Sequence, residues 1–169
     1  MHFSDPNVAL RPWGASSGDA ATLVAAWSEP DIARWTTVPD ARTVNDAERW
    51  VAGEGTRRDQ GVALDLAVTE AGAPDAVIGE VGLVLVEADR RWAEVGYWLL
   101  PAWRGSGRAG VALTLFTDWV LSDLPIRRLF ARTHVDNGRA GAVAQRAGYE
   151  PAGELADGLV VWVRDAPSA

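Results

Sequence analysis

Gly105, Gly107 and Gly110, with Arg104 and Arg108 set among them, are the residues of this sequence best spaced for chemistry. A glycine-rich turn that delivers a strand to a helix N-terminus aligns backbone N–H groups on an anion, most often a phosphate. The flanks supply both elements. Glu94 to Leu100 (EVGYWLL) reads as a buried strand that Pro101 brings to an end, and Gly107 to Leu121 carries Val111, Leu113, Leu115, Phe116, Trp119 and Val120 in a helical pattern. Between Pro101 and Gly110 there are two arginines and no acid, although the chain carries a net charge of −7. Two carboxylates lie upstream, Glu94 on the strand itself and Glu80 within the apolar run AVIGEVGLVLV. A carboxylate amid such a run is costly unless it is partnered or functional.

Gly105-Ser106-Gly107-Arg108-Ala109-Gly110 also matches the dinucleotide fingerprint G-x-G-x-x-G, which alone is a weak signal. A dinucleotide unit places that motif after an early parallel strand, with a second mononucleotide half to follow. Here meander-like strands precede it and too little chain follows. In its full context the segment Arg104-Gly105-Ser106-Gly107-Arg108-Ala109 resembles the acetyl-coenzyme A loop of the GNAT N-acetyltransferase superfamily, (Q/R)-x-x-G-x-(G/A). A second landmark, Asn137 through Gly148-Tyr149, resembles that family's N-x-x-(S/A)…(K/R)-x-G-(F/Y) segment. Leu10-Arg11-Pro12-Trp13, Arg34 to Pro39 and Glu94 to Leu99 resemble the RimJ/RimL-type branch, so the likeness runs from about residue 8 to 164.

That resemblance implies an acetyl-CoA-dependent N-acetyltransferase acting on a primary amine, with acetyl-CoA as co-substrate and no metal. It implies that the backbone of Trp98, Leu99 and Leu100 holds the pantetheine arm, that one of these N–H groups polarises the thioester carbonyl, and that Arg104 to Ala109 receive the pyrophosphate. Asn137 would bond the pantetheine, or cap its helix. Glu94 is the expected base, on a strand whose alternation puts Glu94, Gly96 and Trp98 on one face; an ion pair with Arg91 or Arg132 is the competing reading. Glu80 and His134 are its rivals. The sequence departs from the family at two proton-donor positions, since Ala144 stands where many members have tyrosine and Ala140 where this branch often has serine. Water then serves the leaving thiolate, whose thiol has a pKa of about 8.5. A catalytically silent acyl-CoA-binding protein is the alternative function. The acceptor would meet Trp35 and the loop through Pro39, as well as the distal turn at Asp157. Removing a proton from a lysine-like amine at pH 7 costs roughly 4 to 5 kcal/mol, but from an α-amine only about 1 to 1.4 kcal/mol. A weak or water-relayed base is therefore better matched to an α-amine, whether on a peptide or a small molecule.

The elements that must position these residues read as a mixed α/β chain, a mostly antiparallel sheet of about seven strands with helices on both faces. Strands are expected at Val8 to Trp13, Val62 to Thr69, Ala76 to Val86, Arg91 to Leu100 and Arg128 to Val135. Glu150 to Leu155 and Leu159 to Arg164 form a closing hairpin around Asp157-Gly158. Helices are expected over Asp19 to Trp27, Asp31 to Trp35, from a Thr43/Asp46 capping box through Val51, and over Arg139 to Ala147, ending at Gly148. Gly53 to Gly61 is expected to break the third helix. Glu87 to Arg90 and Glu70 to Asp75 read as turns.

At 169 residues the chain is the size of one domain, spanning 1–169. It has no cysteine and only two histidines, His2 and His134, which excludes thiolate chemistry and argues against a zinc site. All 16 basic residues are arginine. The acidic balance argues against nucleic-acid partners, and neither a leader nor a membrane-length apolar run is evident, so a cytoplasmic location is expected. A homodimer stays open.

Overall fold

Leu64, Leu66 and Val68 alternate with Asp65, Ala67 and Thr69 along β3 (Ala63–Glu70), and nearly all of them are buried. Burial on both faces of a strand requires layers above and below the sheet. The computed structural model, which describes residues 3–86 and 91–167, shows those layers. Before β3 come β1 (Phe3–Ser4), β2 (Val8–Pro12), α1 (Asp19–Ser28), α2 (Pro30–Trp35) and α3 (Val44–Asp59). After it come β4 (Ala73–Leu85), β5 (Trp92–Leu99), a 3-10 turn (Pro101–Trp103), α4 (Arg108–Asp123), β6 (Arg128–His134), α5 (Gly138–Arg146), β7 (Glu150–Glu154) and β8 (Leu159–Asp165).

The eight strands stand in the order β1-β2-β3-β4-β5-β6-β8-β7, the two-residue β1 being an addition to the expected seven. Every neighbouring pair is antiparallel except β5 and β6. One face packs Leu10, Leu66, Val81 and Val95 against Leu113, Phe116 and Val120 of α4 and Ala144 of α5. On the other face Trp13, Ala67, Val77 and Trp98 meet Leu23 and Trp27 of α1, Ile32 of α2 and Ala47 of α3. The mixed sheet with helices on both sides is thus the expected architecture.

The third helix is a correction. It does not break at Gly53 but continues to Asp59. The Thr43–Asp46 capping box forms at its start as expected. Farther along, Glu54 is buried and pairs with Arg58, and the Arg57 guanidinium lies 4.5 Å over the Trp50 ring. These contacts offset the roughly 1 kcal/mol that a glycine costs inside a helix. The expected turn at Glu87 to Arg90 lies outside the described residues. Gly148, at φ +80°, takes the left-handed conformation expected of a helix stop.

Candidate functional site

The parallel seam between β5 and β6 is short. It pairs Trp92 with Arg128, Ala93 with Leu129 and Glu94 with Phe130, and then ends. Beyond it β5 stays paired with β4 as far as Leu99, and β6 with β8 as far as His134. The two strands therefore separate like the arms of a V. A cleft of about 1120 Å³ occupies the gap, walled by Glu94 to Leu99, by Ala131 to His134 and by residues of α2, α4 and α5.

At one end of this cleft lies the glycine turn. Gly105 and Gly107 adopt φ of +83° and +82°, a left-handed conformation that glycine reaches without strain. Gly107 immediately precedes α4, so the free N–H groups of the first helical turn face the cleft with the positive end of the helix dipole. Arg108 lines the same wall and stacks 5.2 Å from Trp103, with its Nη1 donating to Ser106 Oγ at 2.7 Å. Its Nε is buried without a protein partner. Ser106 itself turns its hydroxyl toward Trp103 O and Arg108. Arg104 is a tie more than a free cation: its Nε donates to Leu99 O at 2.9 Å and its Nη1 to Asp31 at 3.0 Å. Arg139 and Arg146, not singled out by sequence reasoning, also line the cleft. Their seven-residue spacing puts both on one side of α5, and that was the available signal.

Asn137 lies across the cleft and caps α5, its Oδ1 accepting from the Ala140 N–H at 3.3 Å. Ala144 is 1% exposed, so the position of the family's tyrosine is packed core in this chain.

The backbone of β5 corrects the assignment of donors. The Leu100 N–H donates to Ile78 O, and Leu100 O accepts from the Trp103 N–H, so both Leu100 groups are committed. Antiparallel bonding alternates residue by residue, and the β4–β5 register is unbroken. The Trp98 backbone groups therefore face β4, while those of Val95, Tyr97 and Leu99 face the gap. Of the three expected backbone positions only Leu99 is on the open side, and Tyr97 joins it.

Two carboxylates on the other side of the sheet have opposite surroundings. Both oxygens of Glu94 accept from Arg132, at 2.8 and 2.9 Å, just where β5 and β6 part. Glu80 Oε1 accepts from the Trp98 indole N–H at 3.0 Å, while Oε2 is buried with no protein partner. Burial, foremost, and the negative charge of Asp65 push the Glu80 carboxyl up to about 8. Burial likewise raises Asp65 to about 6, against the pull of Arg57. Asp65 also lines the cleft and was not anticipated, although a charged residue inside VALDLAVT carries the same signal as Glu80.

On the α2 wall of the cleft the Trp35 ring lies 4.4 Å from the Arg34 guanidinium and 5.9 Å from the His134 ring. Trp35 and Trp98 both line the cleft, and Trp98 is also part of the tryptophan core beneath α1 and α3. His134 Nδ1 accepts from the Asp136 N–H, a local turn contact. Among the described residues no three His, Cys, Asp or Glu side chains gather into a metal-binding group. No helix among them is long and apolar enough to cross a membrane.

Known proteins share this fold. Residues 7–150 match the family model described as an acetyltransferase (GNAT) domain. A Bacillus subtilis (strain 168) protein, provisionally named ribosomal N-acetyltransferase YdaF, is 29% identical over 86 residues, 51% of this chain and 47% of that relative. The chain thus spans about half the length of the curated relative it matches. The ribosomal-protein-S5-alanine acetyltransferase of Vibrio fischeri superposes with a TM-score of 0.85 at 16% identity, covering 99% of this chain and 98% of that one. Mycobacterium smegmatis RimJ, solved with CoA-disulfide, gives 0.80 at 20% identity over 98% of this chain and 86% of its own. At such identities the two structures establish the fold.

Proposed function

Because the chain belongs to the GNAT acetyltransferase family, we propose that it transfers the acetyl group of acetyl-CoA directly to a primary amine, with Glu80 as the base. One observation carries the assignment of Glu80: it is a carboxylate on the cleft wall, flanked by the indoles of Trp98 and Trp13, with no cation among the described residues bonded to either oxygen. Glu94, expected in that role, has both oxygens taken by Arg132 and serves instead to fasten the two strands where they diverge.

In this reading the pyrophosphate lies against Gly105 to Ala109, with Arg108, Arg139 and Arg146 adding positive charge. The pantetheine occupies the gap between β5 and β6 and bonds the outward groups of Tyr97 and the N–H of Leu99, whose carbonyl is held by Arg104. One of those N–H groups stabilises charge developing on the thioester oxygen. The α-ammonium enters past Trp35 and gives one proton to Glu80; the neutral amine then forms the N–C bond, and its second proton passes through water to the departing coenzyme thiolate. Ala140 and Ala144 offer no side-chain donor for that last step. Asn137 acts through its cap on α5.

A carboxyl raised by burial is better matched to an α-amine, about 7.7–8.0, than to a lysine, about 10.4. Proton transfer is most efficient when the two are matched. The acceptor we infer is therefore an α-amine, and the relatives named for ribosomal-protein acetylation favour a protein N-terminus among α-amines.

The test is thiol release from acetyl-CoA with a panel of N-terminal peptides, lysine side-chain analogues and polyamines. Turnover on α-amines at neutral pH is expected. Tight coenzyme binding with no turnover on any amine establishes the silent acyl-CoA-binding reading in its place, and binding of a dinucleotide but not of coenzyme A removes both. For the base, Glu80→Gln lowers kcat/KM by about 10²- to 10³-fold and abolishes the acidic limb of its pH profile. Glu94→Gln retains that limb; the reverse pattern would return the role to Glu94.

A further inference from the structure

Asp65 stands opposite Gly82 in the β3–β4 ladder, and Glu80 lies two residues along β4 from Gly82. The two carboxylates therefore occupy diagonal positions on one face of the sheet, within reach of each other. Both line the cleft. A Cβ on Gly82 would stand 2.2 Å from Asp65 Oδ1, so the Asp65 carboxylate lies against bare backbone that only glycine provides.

The charged groups around this pair are mostly satisfied elsewhere. From β2, Arg11 sits in the same cross-strand row as Ala67 and Glu80, but Asp19 of α1 holds it bidentately. From α3, Glu54 accepts the Asp65 N–H at 3.4 Å and pairs with Arg58. From β5, Glu94 is held by Arg132, and from α2, Asp31 is held by Arg104. Arg57 of α3 is the cation left to Asp65, its Nη2 3.7 Å from Oδ2. Glu80 meets two indoles and no cation: Trp98 donates to it, and Trp13 bears on it with an N–H that no protein acceptor engages.

We propose that Asp65 is a positioning residue for acyl transfer, a second carboxylate whose charge, shared against a single guanidinium, keeps Glu80 a strong enough base to take the proton of an α-ammonium. The inference rests on the assignment of Glu80 as base. Its chemistry is a single proton transfer, in which the amine N–H breaks as the Glu80 O–H forms, and Asp65 bonds to neither. The direction follows from like charges sharing a site, which raise proton affinity. A glutamate at its ordinary value of about 4.3 would fall roughly 3.5 pH units short of an α-amine. The pair titrates as a unit, and its two steps belong to both residues.

Carbon-13 NMR of the side-chain carboxyls tests this on the intact protein, with Glu80→Gln identifying the Glu80 resonance. In Asp65→Asn the Glu80 midpoint is expected to fall by about one pH unit or more. In Arg57→Gln it is expected to rise. With the best acceptor of the amine panel, the acidic limb of kcat/KM moves in the same two directions while the KM for acetyl-CoA holds. Opposite shifts from two substitutions at one contact are not what a general loosening of the fold produces. A Glu80 midpoint that stays put in Asp65→Asn overturns the proposal. Should that variant not fold, an unmoved or lowered midpoint in Arg57→Gln overturns it equally. Failure of the base assignment reads differently: Glu80→Gln then keeps its acidic limb, whatever the NMR midpoints do.

Discussion

Two indoles flank Glu80 and a guanidinium grips Glu94, and the proposal of Glu80 as base rests on these neighbours. Alternation placed Glu94 and Trp98 on one face correctly, but it could not say that Arg132 would be adjacent, because that contact crosses from β5 to β6. Glu80 was legible for a different reason, namely the expense of a charge in an apolar strand. Asp65 carries the same signal, but its meaning depends on the diagonal register with Glu80, which the sequence does not display. At the same scale, Arg11 and Asp19 form a doubly hydrogen-bonded pair, 6% and 2% exposed, that ties β2 to α1. Burial pushes the Asp19 carboxyl up, but Arg11 and the backbone of Gly14 and Ser16 outweigh it, and the net shift is downward. A carboxyl lowered on folding adds stability above its unfolded value, about 3.9, and that stability is lost as the pH falls through the folded value. Asp19→Ala, which strands a buried arginine, is expected to cost about 3 to 5 kcal/mol in urea unfolding at pH 7. Its deficit shrinks below pH 4, and a deficit that is independent of pH would contradict this account.

Among the elements, α3 and the turn before α4 show the two uses of glycine. Gly53 and Gly55 predict an end to α3 on composition, yet buried Glu54 together with the Arg57–Trp50 stack carries the helix on. None of those partners is local in sequence to the breaker signal, so composition alone could not weigh them. Nothing stands within 4 Å of a Cβ added at Gly55, so Gly55→Ala should stabilise the protein by roughly 0.5 to 1 kcal/mol in thermal unfolding. Gly107 is equally open but has φ +82°, so Gly107→Ala should destabilise by about 1 kcal/mol and weaken coenzyme A binding as well. Equal thermal shifts from the two substitutions would mean that the turn is not held in its left-handed form. Most strand ends are legible because their turns carry glycine or proline, the charged run at residues 87–91 marking the turn between β4 and β5 instead; the β5–β6 pairing is not, because parallel neighbours are joined through a helix and leave no local mark.

For the molecule as a whole, a chain of net charge −7 sets Arg108, Arg139 and Arg146 on the wall of one cleft, Arg104 being paired there with Asp31. Local positive charge set in a negative surface gives a binding affinity that weakens with ionic strength. Arg139 and Arg146 are exposed, so Arg139→Ala and Arg146→Ala should each cost about 0.2 to 1 kcal/mol of coenzyme A affinity by calorimetry, with a shallower salt dependence. An unchanged salt slope in the double variant would place the phosphates elsewhere. The sheet order explains how two distant segments build this rim, since α4 and α5 flank β6 on either side in sequence.

The three-residue seam also has a mechanical meaning. Viewed as a plate, the sheet carries a notch that starts at the Glu94–Arg132 bridge and runs between β5 and β6. Each side of the notch keeps its own ladder, to β4 and to β8. Spreading or closing the arms about that bridge would cost no ladder bond. The ion pair is placed as a crack stop is, at the root of the notch where the last ladder bonds between β5 and β6 end.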